Sequence, residues 1–365
     1  MRGALIRLAA LAVAVLVPLT LVEAALRLLP VSTGLQAQPV NRQSPVFHFA
    51  PNRDFRYSAD WNFSRVNGGR TNNAGFVNDR DYAVEGPHPL LAVVGDSYVE
   101  AAMVPFAETI AGRLAARVGE GGRVYSFAAS GAPLSQYMIW ARHAVKDWGA
   151  DAVAVVVVGN DFDESLAAYK VGPGFHHYVE DKGELVLRRF DYRPSPWRLM
   201  LRHSALVRYL VFNLHLEATV ERLRDLVSVP EAQAAPAQFV GNVLASADAK
   251  RLDDSRRVVE AVLRDFPTVA GLPPDKIAFF VDGLRYPGGG DDSYFSQMRR
   301  FFIAAARMRG FEVVDLDDLF VPYAETHPEV RFEWPTDGHW NGLGHQLAAE
   351  AVAGSRLYRT RFPSP

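Results

Sequence analysis

Apolar and polar positions alternate along this chain in two rhythms. "LLAVVG" (Leu90–Gly95) is apolar throughout, and "FAETIAGRLAARV" after it repeats its apolar residues on one helical face. "RVYSFAAS" predicts a second strand and "SQYMIWARHAVKDW" a second helix. "DAVAVVVVGN" is the strongest strand candidate, being almost entirely β-branched or small and apolar. "KIAFFVDG", the helix "SYFSQMRRFFIAAARMRG", the strand "FEVVDL" and a final helix in "GHQLAAEAVAG" continue the series. Runs that are apolar on both faces and alternate with helices predict a parallel sheet covered on both sides. The pattern therefore predicts an α/β layered fold with about five strands.

Three stretches break the rhythm. Residues 1–30 hold an uncharged run from Leu8 to Val22 between Arg2 and Arg7 on one side and Glu23 and Arg27 on the other. Fifteen residues are short for a full span, which takes about 20, and they match the hydrophobic region of a signal peptide. "VEA", ending at Ala24, reads as a cleavage site, whereas the amphipathic "ALRLL" after it reads as part of an uncleaved signal anchor. Either way the basic residues place the N-terminus in the cytoplasm and the remainder on the exported, periplasmic side. Residues 31–87 are rich in Pro, Asn, Arg and aromatics without a period, and are expected to be an extended lead-in packed on the domain. The catalytic domain is assigned to residues 88–365, with an insertion at roughly 165–250. That insertion contains a hairpin turning at Asp181–Gly183, a helical segment from Arg198 to Val227, and the Pro/Ala-rich loop "SVPEAQAAPAQFVG". Leaving from the end of a central strand, it is either a cap over a ligand crevice or a packing appendage.

Composition narrows the class. The 365 residues are 49% hydrophobic and 22% charged, enough to bury a core. A formal charge of −2 argues against nucleic acid as the main partner. The absence of cysteine excludes thiol catalysis, disulfides and thiolate metal sites. Oligomeric state leaves no trace in the sequence.

The chemistry is carried by four short blocks that follow predicted strands or precede a helix. Gly95-Asp96-Ser97 ends the first strand, Gly131 lies just past the second, Gly159-Asn160-Asp161 end the third, and Asp337-Gly338-His339 precede the final helix. Each block also has a purely structural reading, because Gly, Asn, Asp and Ser punctuate turns and helix starts. Their common position at one end of one sheet favours a site. A serine hydrolase needs a hydroxyl within reach of a base, a carboxylate to orient that base, and fixed donors for the oxyanion. Ser97, His339 and Asp337 supply the first two. The backbone N–H groups of Ser97 and Gly131 and the side-chain amide of Asn160 are candidates for the third.

The ordered set resembles the SGNH hydrolase superfamily, the GDSL-type esterases and lipases, over roughly residues 70–355, including "RTNNAGF" and "DGHWNGLGH". The resemblance implies a three-layer α/β/α sandwich with a flavodoxin-like parallel sheet. It also implies Ser97 as nucleophile, Gly131 and Asn160 in the oxyanion hole, and an Asp337–His339 pair. Ala101 stands where members often carry Gly, Ser126 where many carry Asn, and one residue rather than two separates Asp337 from His339. The "DGHWN" form is similar to bacterial polysaccharide O-acetylation and esterase proteins.

The expected activity is a serine esterase that removes a short acyl group from a sugar polymer or cell-envelope ester, with no cofactor and no metal. The alternatives are an O-acyltransferase using the same triad and a non-catalytic carbohydrate-binding protein. His345 and Glu350, five apart on a helix, do not join His339 as metal ligands. Asp282 and Arg285 are either substrate contacts or an ion pair, Asp161 is expected to brace the Asn160 turn, and His176 and His177 are expected at the surface.

Overall fold

The computed structural model describes residues 2–216, 247–288, 292–335 and 337–362. The chain forms two compact units, one of Met1–Gln36, Asp54–Gly69 and Pro194–Ala234 and one of Ala37–Arg53, Arg70–Arg193 and Ala235–Pro365. Helix α1, Arg2–Arg27, belongs to the first.

The second unit is built on a sheet whose strands are β1 (Leu90–Gly95), β2 (Arg123–Ala128), β3 (Ala152–Val157), β4 (Ile277–Val281) and β5 (Glu312–Asp315). All pair in parallel, in the order β2-β1-β3-β4-β5. Every residue of β1 to β4 is buried, which is why β1, β3 and β4 read as unbroken apolar runs rather than alternating ones, whereas β2 also buries Arg123 and Ser126. Its helices are α2 (Ser97–Glu100), α3 (Ile110–Val118), α4 (Leu134–Trp148), α5 (Asp161–Glu164), α8 (Ala249–Ala270), α9 (Tyr294–Met308), α10 (Asp317–Thr326), α11 (Gly342–Gly354) and α12 (Arg356–Arg359). Leu114 of α3, Phe320 of α10 and Leu347 and Val352 of α11 pack on Leu91, Val93 and Phe280 on one face. On the other face Phe279 meets Phe266 of α8 and Phe302 of α9 edge-on at 5.5 and 5.2 Å. The five-stranded α/β architecture expected from the apolar pattern is present, and α8 is an element the pattern reading did not include.

The chain leaves β1 for β2 at one edge and returns to β3 on β1's other side. A crevice opens at the carboxyl ends of neighbouring strands where the winding reverses in this way. Before β1, Tyr82 stacks on Tyr125 of β2 at 3.9 Å and donates to the Ser126 carbonyl at 2.6 Å. Phe47 offers its carbonyl to the Trp140 indole at 2.9 Å. The hairpin His176–Asp181/Glu184–Arg189 turns through Lys182 and Gly183, both at positive φ.

In the first unit, helices α6 (Pro196–Leu201) and α7 (Ala205–Arg208) replace the start of the single helix expected from Arg198 onward. The break has a local cause: Ser204 accepts the Val207 N–H and so begins a new helix. The remainder of that segment beyond Leu216 and the Pro/Ala-rich loop lie outside the described residues. Leu26, Val31 and Ala205 form a small core with Phe63, Leu206 and Tyr209.

Candidate active site

β1 must end on glycine here, because a Cβ on Gly95 would lie 2.5 Å from Val99 Cγ2 in the helix that folds back over it. Asp96 is the cap of that helix, its Oδ1 accepting the Tyr98 N–H at 2.9 Å. Ser97 is therefore released from capping and stands as the first helical residue, where a backbone N–H has no partner within the helix. Its Oγ lies 2.7 Å from His339 Nε2 and 3.3 Å from Asp96 Oδ2. A hydroxyl has one hydrogen, and the shorter contact directs it to the imidazole.

His339 lies in a short antiparallel ribbon formed by Glu333–Trp334 and Asp337–Trp340. In extended backbone, residues two apart face the same side, so a single intervening glycine lets Asp337 reach the imidazole. Asp337 Oδ1 contacts His339 Nδ1 and also accepts the His339 backbone N–H at 3.1 Å. With Nδ1–H donating to the carboxylate, Nε2 is left as an acceptor for the serine proton.

The residue between them is held as well. Tyr98 and Arg285 both donate to the Gly338 carbonyl, at 2.9 and 3.0 Å, and Arg285 Nη2 donates to the Tyr98 hydroxyl at 3.2 Å. Arg285 is fully buried and ion-paired with Asp282. Of the two readings for Asp282 and Arg285, the geometry gives the ion pair and adds a purpose, because the guanidinium clamps the segment carrying Asp337 and His339.

Gly131 has φ +75, a conformation glycine reaches freely, in the turn after β2. Asn160 precedes α5 after β3, with its Nδ2 donating to Glu164 Oε2 at 3.1 Å. Asp161 braces this turn, accepting the Val158 N–H at 2.8 Å and the Tyr137 hydroxyl at 2.8 Å. Ser97, Gly131 and Asn160 thus follow the carboxyl ends of three adjacent strands.

Ala101 adopts the left-handed conformation at the end of α2, with φ 46, so the position has the geometry glycine suits best. Ser126 takes the Asn78 side-chain amide at 3.1 Å. His176 and His177 are buried, against expectation. His177 accepts the Gly172 N–H at Nε2 and donates from Nδ1 to the Glu164 carbonyl, both at 2.9 Å, and burial pushes the His176 pKa down to about 4. His345 is buried and accepts the Ile110 N–H at 3.3 Å. Among the described residues no group of three His, Asp or Glu side chains is placed to hold a metal.

Glu100, which the sequence reading passed over, is 7% exposed and accepts both the backbone N–H and the hydroxyl of Ser130, at 2.7 and 2.8 Å. It thereby ties α2 to the residue before Gly131. Burial drives its pKa from 4.5 up to about 7, against the lowering effect of the two Ser130 bonds. A carboxyl whose folded pKa is raised favours the fold fully below its unfolded pKa, and that contribution is lost as pH rises through the folded value. The loss between pH 4.5 and 7 is roughly 3 kcal/mol. In thermal melts from about pH 5 to about pH 8, Glu100→Gln is therefore expected to gain on the wild type as pH rises. A constant difference between the two melting curves across that range would overturn the assignment.

Beside Asn160 is a half-open cavity of about 140 Å³ whose lining includes Glu164, Tyr169, Lys170, Arg251 and Tyr294. Lys170 pairs with Glu164 at 2.5 Å, Arg251 pairs with Asp163, and the Arg251 guanidinium lies 4.7 Å from the centre of the Tyr169 ring. Charges of both signs and two phenol rings line one small space.

No family model matches the sequence, and no curated protein matches it. Solved structures with a partly similar chain path include LAE5, an alpha/beta hydrolase enzyme from the metagenome of Lake Arreo, Spain. It is 12% identical, with 75% of this chain and 98% of that chain covered and a TM-score of 0.40. An acetyl xylan esterase, AlAXEase, is 10% identical over 72% of this chain and 97% of its own, at 0.38. A member of the lipolytic protein G-D-S-L family from Veillonella parvula is 10% identical over 74% and 98%, at 0.35.

Proposed function

We propose that this chain is a serine esterase of the SGNH type, acting through an acyl-enzyme on Ser97. The observation that carries the reading is the unbroken chain of contacts from Asp337 through His339 to the Ser97 hydroxyl. His339 takes the serine proton as Oγ attacks the ester carbonyl, then returns it to the departing alcohol. Water, deprotonated by the same imidazole, then releases the acid. Charge on the tetrahedral oxygen is met by the Ser97 and Gly131 N–H groups and the Asn160 amide. Glu100 and Glu164 act at one remove, by holding Ser130 and Asn160.

For the alcohol we infer a sugar unit of a polymer or cell-envelope ester. The cavity beside Asn160 supports this: paired charges offer donors and acceptors to hydroxyl groups, and the aromatic residues Tyr169 and Tyr294 are part of its lining. An apolar α1, long enough by composition to cross a membrane, supports an anchored, exported enzyme.

A fluorophosphonate probe is expected to label the intact protein on the peptide containing Ser97, and acetylated xylo-oligosaccharides are expected to release acetate. Tyr169→Ala should lower the ratio of kcat/KM for the acetylated oligosaccharide to that for p-nitrophenyl acetate by roughly tenfold, the scale of one lost contact. Labelling elsewhere sinks the nucleophile. An unchanged ratio sinks the sugar.

A further inference from the structure

We infer that residues 196–216 form a second membrane-contacting element, lying in the bilayer interface against the outer end of α1. This rests on the reading of α1 as a membrane anchor. The uncharged run Leu8–Val22 covers about 22 Å, short of the roughly 30 Å hydrocarbon thickness. From Arg7 to Arg27 the helix covers about 30 Å, so with Arg7 at the inner boundary Glu23 lies inside the span, about one turn below the outer boundary. A bare carboxylate there is costly.

Glu23 is not bare. It accepts the Ser204 hydroxyl at 2.8 Å, the Ala205 N–H at 3.0 Å, the Leu206 N–H at 2.8 Å and Arg27 Nε at 2.8 Å. The start of α7 supplies three of these four donors, so it must lie at the same depth. A groove formed by Leu16, Leu19 and Thr20 of α1 with His203 and Leu206 sets the two segments side by side over that stretch.

The flanking segment then has the surface that depth requires. Trp197 is 70% exposed and Met200 54%, and Leu201, Phe212 and Leu216 are also exposed. In water such a concentration of exposed apolar side chains is unfavourable. At a headgroup boundary Trp is the preferred residue, and Arg198, Arg202 and Arg208 between them suit anionic headgroups. The partner is thus a lipid surface, continuous with the lipid around α1.

The absence of cysteine makes the test direct. Full-length Leu16→Cys and Met200→Cys proteins would carry an environment-sensitive fluorophore in vesicles of phosphatidylcholine and phosphatidylglycerol, with shallow nitroxide lipid, with deep nitroxide lipid, and with neither. The label at 16, near mid-bilayer by the helix rise, is expected to lose fluorescence mainly to the deep nitroxide, and the label at 200 mainly to the shallow one. Quenching at position 16 without quenching at 200 leaves the anchor standing and overturns the interfacial element. Protection of position 200 from aqueous iodide without quenching by lipid identifies a protein partner, which also overturns it. Failure to quench at position 16 removes the anchor and the inference together.

Discussion

Ser97→Ala is expected to lower kcat for a small acetyl ester by about 10⁴-fold or more while leaving the melting temperature essentially unchanged. The two halves of this result have separate causes. In the proposed mechanism Oγ is the atom that bonds to the acyl carbon, and among the described residues no other hydroxyl is hydrogen-bonded to His339 Nε2 to replace it. The helix start, by contrast, is capped by Asp96 rather than by Ser97, so removing the hydroxyl costs little stability. His339→Ala should produce a loss of about 10³-fold or more, and the double variant should be little worse than Ser97→Ala alone, because the members act as a unit. Steady-state kinetics beside thermal melts check both halves. Turnover surviving in Ser97→Ala would remove the serine from the mechanism, and a collapse of the fold would show that the cap had been misassigned.

The parts legible in the sequence are those whose signal is local. β1, β3 and β4 were readable because burial on both faces forces unbroken apolar runs. The Asp337–His339 pair was read from its place before the final helix and from the resemblance, and the structure adds why one intervening residue suffices: an extended segment turns residues two apart to the same side. Tyr98, Glu100 and Arg285 act through partners far along the chain: Gly338 for the first and third, Ser130 for the second. No period or spacing announces such a pairing. The buried histidines at 176 and 177 failed as surface residues for the same reason, since His177 is satisfied by backbone groups of Glu164 and Gly172 that only the folded loop brings near. Gly-Asp-Ser shows the limit in another way. Capping and catalysis looked like rival readings of one serine, and the fold gives the cap to Asp96 and leaves the Ser97 hydroxyl against His339.

Arg285 carries the largest expected effect on stability. Its side chain is fully buried, it pairs with Asp282 at 3% exposure, and it donates to Gly338 and Tyr98 as well. Replacing it by Met leaves the Asp282 carboxylate buried without its cation, which costs about 3–5 kcal/mol. Removing both charges, as in Asp282→Asn with Arg285→Met, should recover much of that loss, because a buried pair returns little more than its own desolvation. Activity should not recover in parallel. The Gly338 carbonyl keeps the Tyr98 hydroxyl but lacks the guanidinium in both variants, so the segment holding Asp337 and His339 is freer to move and kcat falls more than KM changes. Denaturant melts and kinetics on the single and double variants separate the two roles. A double variant that regains kcat together with stability would make Arg285 a partner of Asp282 alone, whereas stability regained with kcat still depressed assigns it the positioning of the catalytic histidine.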